Sequence, residues 1–220
     1  MVDIIEVSNS NIKNIVKSLN ERNSTVDVRK NVEDIIKNIK ENGDKALREY
    51  TLNFDKADLK DFLVSQEEID NAYDSCDKEL LAILEESKNN ITKYHEKQKK
   101  TGYIYQKELG IYMGQRIIPV ESAGVYVPGG KAAYPSSVLM NVIPAIVAGV
   151  ENIVIATPPN SKGEVNKNIL VAAKICGINK IYKIGGAQAI AALAYGTESI
   201  KPVSMIVGPG NAFVAEAKRQ

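Results

Sequence analysis

The sequence has few of the side chains that usually bind transition metals or act as nucleophiles. Its 220 residues include two cysteines and one histidine. Cys76 and Cys176 form no C-x-x-C pair, which excludes a zinc knuckle and a redox dithiol within the chain, and we expect both to be small buried apolar residues. His95 lies in a predicted helix. Because zinc sites need about three or four converging ligands and a hydrolase triad needs a histidine beside its serine, we predict no metal site and no triad.

An excess of charge of either sign is also missing. Lys and Arg together number 28, Asp and Glu number 27, and the formal net charge is +1. This balance argues against nucleic acid or an anionic membrane surface as a partner. No apolar run is long enough to cross a bilayer, and residues 1–11 carry acids but no basic residue, unlike a secretory signal. We therefore expect a cytoplasmic protein.

The first half of the chain is highly charged and has the apolar spacing of helices. Glycine after such a pattern predicts the end of a helix, and Gly43 follows apolar residues at helical spacing, namely Val28, Val32, Ile35, Ile36 and Ile39. Ser65 followed by Glu68 predicts a capping box at the start of the next helix. A further long helix is predicted from about Asp77 to Lys100.

The pattern changes near Tyr103, where residues 103–118 predict two strands joined by a tight turn. Short apolar strands then alternate with helices. The predicted strands are Gly124–Val127, Ile153–Ala156, Lys180–Ile184 and Val203–Val207, and the predicted helices are Pro135–Ala148, Asn166–Cys176 and Ala187–Tyr195. This alternation predicts an α/β fold in which a parallel, Rossmann-like sheet carries helices on both faces.

Small or rigid residues follow each predicted strand: Pro128-Gly129-Gly130, Thr157-Pro158-Pro159, Gly185-Gly186 and Gly208-Pro209-Gly210-Asn211. Ligands of open parallel sheets bind at the carboxyl ends of the strands, where helix amino termini offer N–H groups to phosphate. Glycine and proline in such turns are often only structural. Because several of these turns share one edge of the sheet, we predict a small-molecule site between residues 122 and 211, with a dinucleotide as the ligand.

The standard phosphate-binding motifs do not complete this site. Gly124 and Gly129 have the spacing of a P-loop with Lys131 nearby, but no Ser or Thr follows the lysine. The turn at Gly208 begins like the glycine fingerprint of Rossmann domains, yet Phe213 occupies the position of its last glycine. A dinucleotide would therefore have to bind by another arrangement.

Three polar side chains beside the turns are the candidate ligand contacts. Tyr126 precedes the first turn, and its ring could stack or donate a hydrogen bond. Gln188 and Asn211 open the helices after the third and fourth turns. Asparagine is also a good helix cap, which alone could account for Asn211. No carboxylate is expected at these turns, so the sequence predicts a binding surface without an evident acid or base.

The sequences of two segments resemble those of histidinol dehydrogenases. These segments are AGVYVPGGKAAYPSSVLMNVIPAIVAG at residues 123–149 and GGAQAIAALAYGTESIKPVSMIVGPGNAFVAEAKRQ at residues 185–220. The first half is also similar, with ENGDKALREYTLNFD at residues 41–55 and the helix that carries His95. The resemblance covers nearly the whole chain.

The resemblance implies an enzyme that oxidises L-histidinol to L-histidine through an aldehyde, with NAD as oxidant. Members of this family depend on zinc, form homodimers and have two interlocked, incomplete Rossmann-like domains. In the family, the cofactor contacts the tyrosine of YVPGG, the glutamine of GGAQ and the asparagine of GPGN. The corresponding residues in this chain are Tyr126, Gln188 and Asn211.

The resemblance also implies that part of the enzyme is missing. The zinc ligands, the substrate-binding serine and the catalytic glutamate–histidine pair of the family follow the helix in which this chain ends. We therefore expect residues 1–118 to form a helical part of a first α/β domain that downstream sequence would complete. Residues 119–220 would form a Rossmann-like NAD-binding domain. We expect the isolated chain to be inactive as a dehydrogenase.

Two other classes of protein remain open from the sequence. An enzyme similar to aldehyde dehydrogenases would also bind NAD without the usual glycines, but it needs an activated nucleophilic cysteine in a cleft. A truncated nucleotide-binding or interaction module would keep the surface without the chemistry. Binding of NAD and the reactivity of the two cysteines would separate these alternatives.

Overall fold

A computed structural model describes residues 6–8, 10–22, 27–129 and 134–220. The predicted turn residue Gly130 and the P-loop candidate Lys131 lie outside this part of the chain, as do residues 1–5 and 9 of the amino-terminal segment. The helices are α1 (Ile12–Arg22), α2 (Arg29–Tyr50), α3 (Gln66–Asp74), α4 (Lys78–Glu96), α5 (Pro135–Ala148), α6 (Lys167–Ile175), α7 (Gly186–Tyr195) and α8 (Ala212–Arg219). The strands are β1 (Tyr103–Glu108), β2 (Ile111–Gln115), β3 (Ser122–Tyr126), β4 (Asn152–Thr157), β5 (Ile181–Lys183) and β6 (Met205–Val207).

The helical conformation of α2 breaks at Gly43, where the end of a helix was predicted, and a second helical segment follows directly. Gly43 has φ 48° and ψ −128°, which kinks α2, and the helix then continues to Tyr50. Next to the kink, the backbone N–H of Asp44 donates a hydrogen bond to Oε2 of Glu198, a residue of the second half of the chain, at 2.7 Å. The backbone N–H of Ser199 in turn donates to Asp44. The helical conformation therefore breaks at Gly43 as expected, and the patterns did not predict the second helical segment, which these long-range contacts stabilise.

The capping box predicted at Ser65 is confirmed. The Ser65 hydroxyl accepts the backbone N–H of Glu68, and the Glu68 carboxylate accepts the backbone N–H of Ser65. The same Glu68 carboxylate receives Nζ of Lys183 in β5 at 2.7 Å. The local signal that starts α3 therefore also ties this helix to the sheet.

The main sheet has four strands in the order β5-β4-β3-β6, and all of its pairings between strands are parallel. An extended segment at residues 62–64 lies antiparallel beside β5. The backbone N–H of Val64 donates to the carbonyl of Ile181 at 2.8 Å, and that of Lys183 donates to the carbonyl of Phe62 at 2.7 Å. The first half thus covers one edge of the sheet, which the sequence patterns did not predict.

Helices cover both faces of the sheet and form two separate cores. On one face, α2 packs on α7 and α8; on the other, α3 and α4 pack on α5 and α6. Successive side chains along β3 point to opposite faces of the sheet. Tyr126 therefore belongs to the first core, whereas Val125 and Val127 belong to the second. The predicted α/β fold with an incomplete Rossmann-like sheet is confirmed.

The predicted hairpin is also present as the antiparallel pair β1 and β2, with an irregularity between Gln106 and Glu108. None of its strand residues is buried. In the described ranges, no helix is both long enough and apolar enough to span a membrane.

Candidate functional site

The turns at the carboxyl ends of the strands meet at one edge of the sheet, around Pro158. A Cβ atom on Gly129 would lie 2.4 Å from Cγ of this proline, and one on Gly185 would lie 2.5 Å from its Cβ. Contacts this short cannot form without displacement of a rigid ring. The two glycines are therefore needed for the turns after β3, β4 and β5 to pack against one another, whether or not a ligand is present.

A cavity of about 370 Å³ opens beside these turns. Tyr126, Gln188 and Asn211, the three candidate ligand contacts, all line it. Residues from the first half complete the wall, namely Ile35 of α2 and Phe54 and Asp55 of the π-helical turn (Thr51–Asp55) that follows it. The structure therefore brings the three predicted residues together, while their role in binding a cofactor stays a prediction.

Tyr126 is held in place by its hydroxyl group. The side chain is 4% exposed, and its hydroxyl oxygen accepts the backbone N–H of Gly186 at 3.0 Å. Burial raises the pKa of this phenol, the hydrogen bond from the Gly186 N–H partly offsets that rise, and the negative charge of Asp55 makes a smaller contribution that also raises it. The phenol thus stays neutral at physiological pH and keeps a proton that it can donate to a ligand acceptor.

Gln188 lies in the first turn of α7 and is only 2% exposed. Its side-chain amide makes no hydrogen bond to any other residue in the described ranges. Because Gln188 lines the cavity, its amide can both donate to and accept from a ligand there. The amino terminus of α7 also contributes a positive dipole end, which favours an anionic group nearby.

Asn211 has a structural role in addition to its place in the cavity wall. Its Oδ1 accepts the backbone N–H of Val214 at 3.1 Å and caps α8. The alternative that the residue is a helix cap is therefore correct. Since the capping bond uses the amide oxygen, the amide nitrogen is the part that could donate to a ligand.

A carboxylate lies at the turns, contrary to the sequence-based expectation. Asp55 lines the cavity, and its Oδ2 is buried without a hydrogen-bond partner in the described part of the chain. Burial raises the pKa of this carboxyl to about 6. The expectation failed because Asp55 reaches the sheet only through the packing of α2 on α7, which no local sequence pattern indicates.

The two cysteines do not resemble a catalytic nucleophile. Burial raises the pKa of the Cys176 thiol to about 11, which keeps it protonated, whereas a nucleophilic cysteine needs a lowered pKa. Cys76 is half-buried, not fully buried as expected. Neither residue lines the cavity, and this disfavours the mechanism of an aldehyde dehydrogenase.

The residues present fit a nucleotide better than a metal ion. A neutral phenol, two amides, a helix amino terminus and an unpartnered carboxyl surround the cavity. Within the described residues, no group of three or more His, Cys, Asp and Glu side chains could hold a metal ion. His95 lies on α4, where its Nδ1 is 2.8 Å from Oε1 of Gln98.

Known proteins with similar sequences and structures agree on one family. The family model of histidinol dehydrogenase matches residues 18–220. Histidinol dehydrogenase of Bacillus subtilis (strain 168) is 54% identical over 196 residues, which cover 89% of this chain and 46% of that protein. The histidinol dehydrogenase of Clostridium acetobutylicum is 50% identical over 221 aligned residues, covering 100% of this chain and 51% of that protein. The crystal structure of histidinol dehydrogenase from Elizabethkingia anophelis aligns with a TM-score of 0.85 at 41% identity, covering 89% of this chain and 45% of that one.

The chain spans about half the length of these relatives. Because the family match covers nearly all of its residues, the chain belongs to the histidinol dehydrogenase family.

Proposed function

We propose that this chain provides the NAD-binding part of an enzyme that oxidises L-histidinol to L-histidine in histidine biosynthesis. The observation that carries the proposal is the cavity in which Tyr126, Gln188 and Asn211 meet. The relatives named histidinol dehydrogenase support the substrate. We further propose that the protein acts in the cytoplasm as a homodimer, with neither nucleic acid nor membrane as a partner.

Each wall of the cavity suits a different part of the cofactor. The amino terminus of α7 would hold the pyrophosphate, since its N–H groups and dipole favour an anion. The neutral phenol of Tyr126 would donate to an acceptor, and the amides of Gln188 and Asn211 would orient the cofactor. Aromatic surface from Phe54 and Phe213 is available for contact with a base. When bound, NAD would supply the acceptor for a hydride from the substrate alcohol.

We expect the isolated chain to show no dehydrogenase activity. Its described residues include no metal-binding group, and its single histidine is away from the cavity wall. Zinc-dependent formation of NADH from histidinol by the purified 220-residue chain is the measurement. The full-length Bacillus subtilis relative assayed in parallel is the positive control. Activity of the pure chain would contradict this expectation.

NAD binding should depend on the amides that line the cavity. Gln188→Ala removes an amide that has no other described partner, so the affinity for NAD should fall by about tenfold or more. Asn211→Ser keeps a capping oxygen for α8 but removes the amide N–H, which should weaken binding without loss of the helix. Calorimetric titration measures both effects.

Exposed residues of the same types provide the controls. Gln106→Ala in β1 and Asn90→Ala in α4 change amides outside the cavity and should leave the affinity unaltered. If the unmodified chain does not bind NAD at millimolar concentration, the cofactor role fails. The alternative of an interaction module without nucleotide binding would then be favoured.

A further inference from the structure

Hydrogen bonds in both directions join the kink in α2 to the loop that follows α7, at residues 196–200. The backbone N–H of Asp44 donates to Oε2 of Glu198 at 2.7 Å. In return, the backbone N–H and the hydroxyl group of Ser199 both donate to the Asp44 carboxylate. These bonds, which we name the kink clamp, connect residues that are 154 and 155 positions apart in the chain.

The kink clamp involves a carboxylate that is almost buried. Asp44 is 8% exposed. Burial by itself would raise the pKa of this carboxyl, but hydrogen bonds from Ser199 and Thr197 outweigh that effect and lower the pKa. Asp44 is therefore ionised at neutral pH, where a charged acceptor makes the stronger hydrogen bond. The clamp also fills the space beside Gly43, because a Cβ on this glycine would overlap with the carboxylate of Glu198.

The helical segment that begins at the kink clamp ends at the wall of the cavity. Residues 44–50 complete α2, and the π-helical turn at residues 51–55 continues it directly, since Thr51 has helical backbone angles. Phe54 and Asp55 at the far end line the cavity. A helix of this length spans about 16 Å, so a tilt of about 5° at the kink would move its far end by about 1.5 Å.

Apolar packing alone does not fix the direction of this segment. Ala46 and Leu47 are fully buried in the core that α2 shares with α7. Burial of apolar surface holds the segment on α7 but is non-directional, whereas a hydrogen bond weakens steeply as its angle changes. At the far end, the ring of Phe54 stacks on that of Tyr50 with centroids 5.6 Å apart, so this part of the wall moves with the segment.

We infer that Glu198 and Ser199 are positioning residues, which act through Asp44 to set the direction of residues 44–55 and thereby the width of the cavity. Neither of them lines the cavity, so their effect on a ligand is indirect. The inference rests on the proposed function, because it concerns one wall of the cavity that we propose to bind NAD. Helix α7 would then contribute to the cavity twice, directly at its amino terminus and through the clamp after its carboxyl terminus.

Amide hydrogen exchange without any ligand tests the effect of the clamp on the segment. In Glu198→Ala, the amides of residues 44–55 should exchange at least about tenfold faster than in the unmodified chain, while those of β4 should be unchanged. Glu198→Gln keeps an oxygen acceptor in the same place and should restore slow exchange. Glu151→Ala, which removes an exposed carboxylate before β4, is the control and should leave the exchange of residues 44–55 unaltered.

Calorimetric titration with NAD gives a readout that a merely structural role would not change. The affinity of Glu198→Ala should fall about three- to tenfold, because the wall is no longer held in place. Glu198→Gln should recover most of this loss, and Glu151→Ala should bind as the unmodified chain does. Ser199→Ala removes the hydroxyl donor of the clamp and should also weaken binding.

Two outcomes in Glu198→Ala would overturn the positioning role and leave the proposed function standing. One is unchanged exchange in residues 44–55, and the other is faster exchange with an unaltered affinity for NAD. If Glu198→Ala does not fold, Ser199→Ala takes its place and is judged by the same two outcomes. Failure of the unmodified chain to bind NAD would instead overturn the proposed function, and the inference with it.

Discussion

Gly208→Ala should destabilise the folded chain by roughly 3 kcal/mol or more, a large part of the stability of a typical domain. Gly208 has φ 108°, which disfavours any other residue, and an added Cβ would lie 2.0 Å from the carbonyl oxygen of Tyr126. That oxygen belongs to the backbone of β3, which is paired to β4 and β6 on its two sides. The strand cannot move away without loss of sheet hydrogen bonds.

A second glycine separates the cost of the positive φ from the cost of the steric overlap with Tyr126. Gly177 has φ 76°, but nothing lies within 4 Å of the position that a Cβ would take. Gly177→Ala should therefore show only the backbone cost, on the order of 1 kcal/mol. Urea denaturation of both variants measures the free energy of unfolding. Equal destabilisation by the two substitutions would mean that the close approach of Gly208 to Tyr126 does not constrain the fold.

Ile39→Ala should lower the free energy of unfolding by about 2–5 kcal/mol. Ile39 is 1% exposed and belongs to the core that α2 shares with α7. The truncation therefore leaves a cavity between the first half of the chain and a helix of the sheet. Ile83→Ala on α4 is the matched control, because Ile83 is 52% exposed and its truncation should cost well under about 1 kcal/mol.

The same denaturation experiment tests the predicted domain boundary between residues 118 and 119. The shared core predicts that Ile39→Ala shifts a single cooperative transition, with helix and sheet signals changing together. Two separate transitions, of which only the earlier one responds to the substitution, would favour an independent amino-terminal unit. A negligible change in stability would contradict the packing of α2 on α7.

Much of the second half could be predicted because its signals are local. Short apolar runs alternate there with segments whose apolar residues have helical spacing. This pattern indicated β3 to β6 and α5 to α7 to within a few residues. The turns at the carboxyl ends of these strands then indicated Tyr126, Gln188 and Asn211, which the fold brings to one cavity. Parallel topology requires the strand ends to share an edge, so this part of the site follows from the sequence pattern.

The features that could not be predicted depend on contacts between distant parts of the chain. Glu198 stabilises the kink at Gly43, the segment at residues 62–64 pairs with β5, and Asp55 reaches the cavity through the packing of α2. Each involves residues more than a hundred positions apart or a turn without a recognisable motif. Periodicity and capping rules describe only near neighbours, and therefore do not detect such contacts.

The division of β3 between two cores has a consequence for how this protein can change over evolutionary time. Tyr126 faces the cavity side while Val125 and Val127 face the opposite core. A one-residue slip of β3 against β4 and β6 would exchange these sides and bury the phenol among aliphatic residues. Insertions or deletions before β3 are thus tolerable only where the loop at residues 116–121 absorbs them. The pairing register of β3, and not the length of that loop, therefore decides whether the phenol of Tyr126 reaches the cavity.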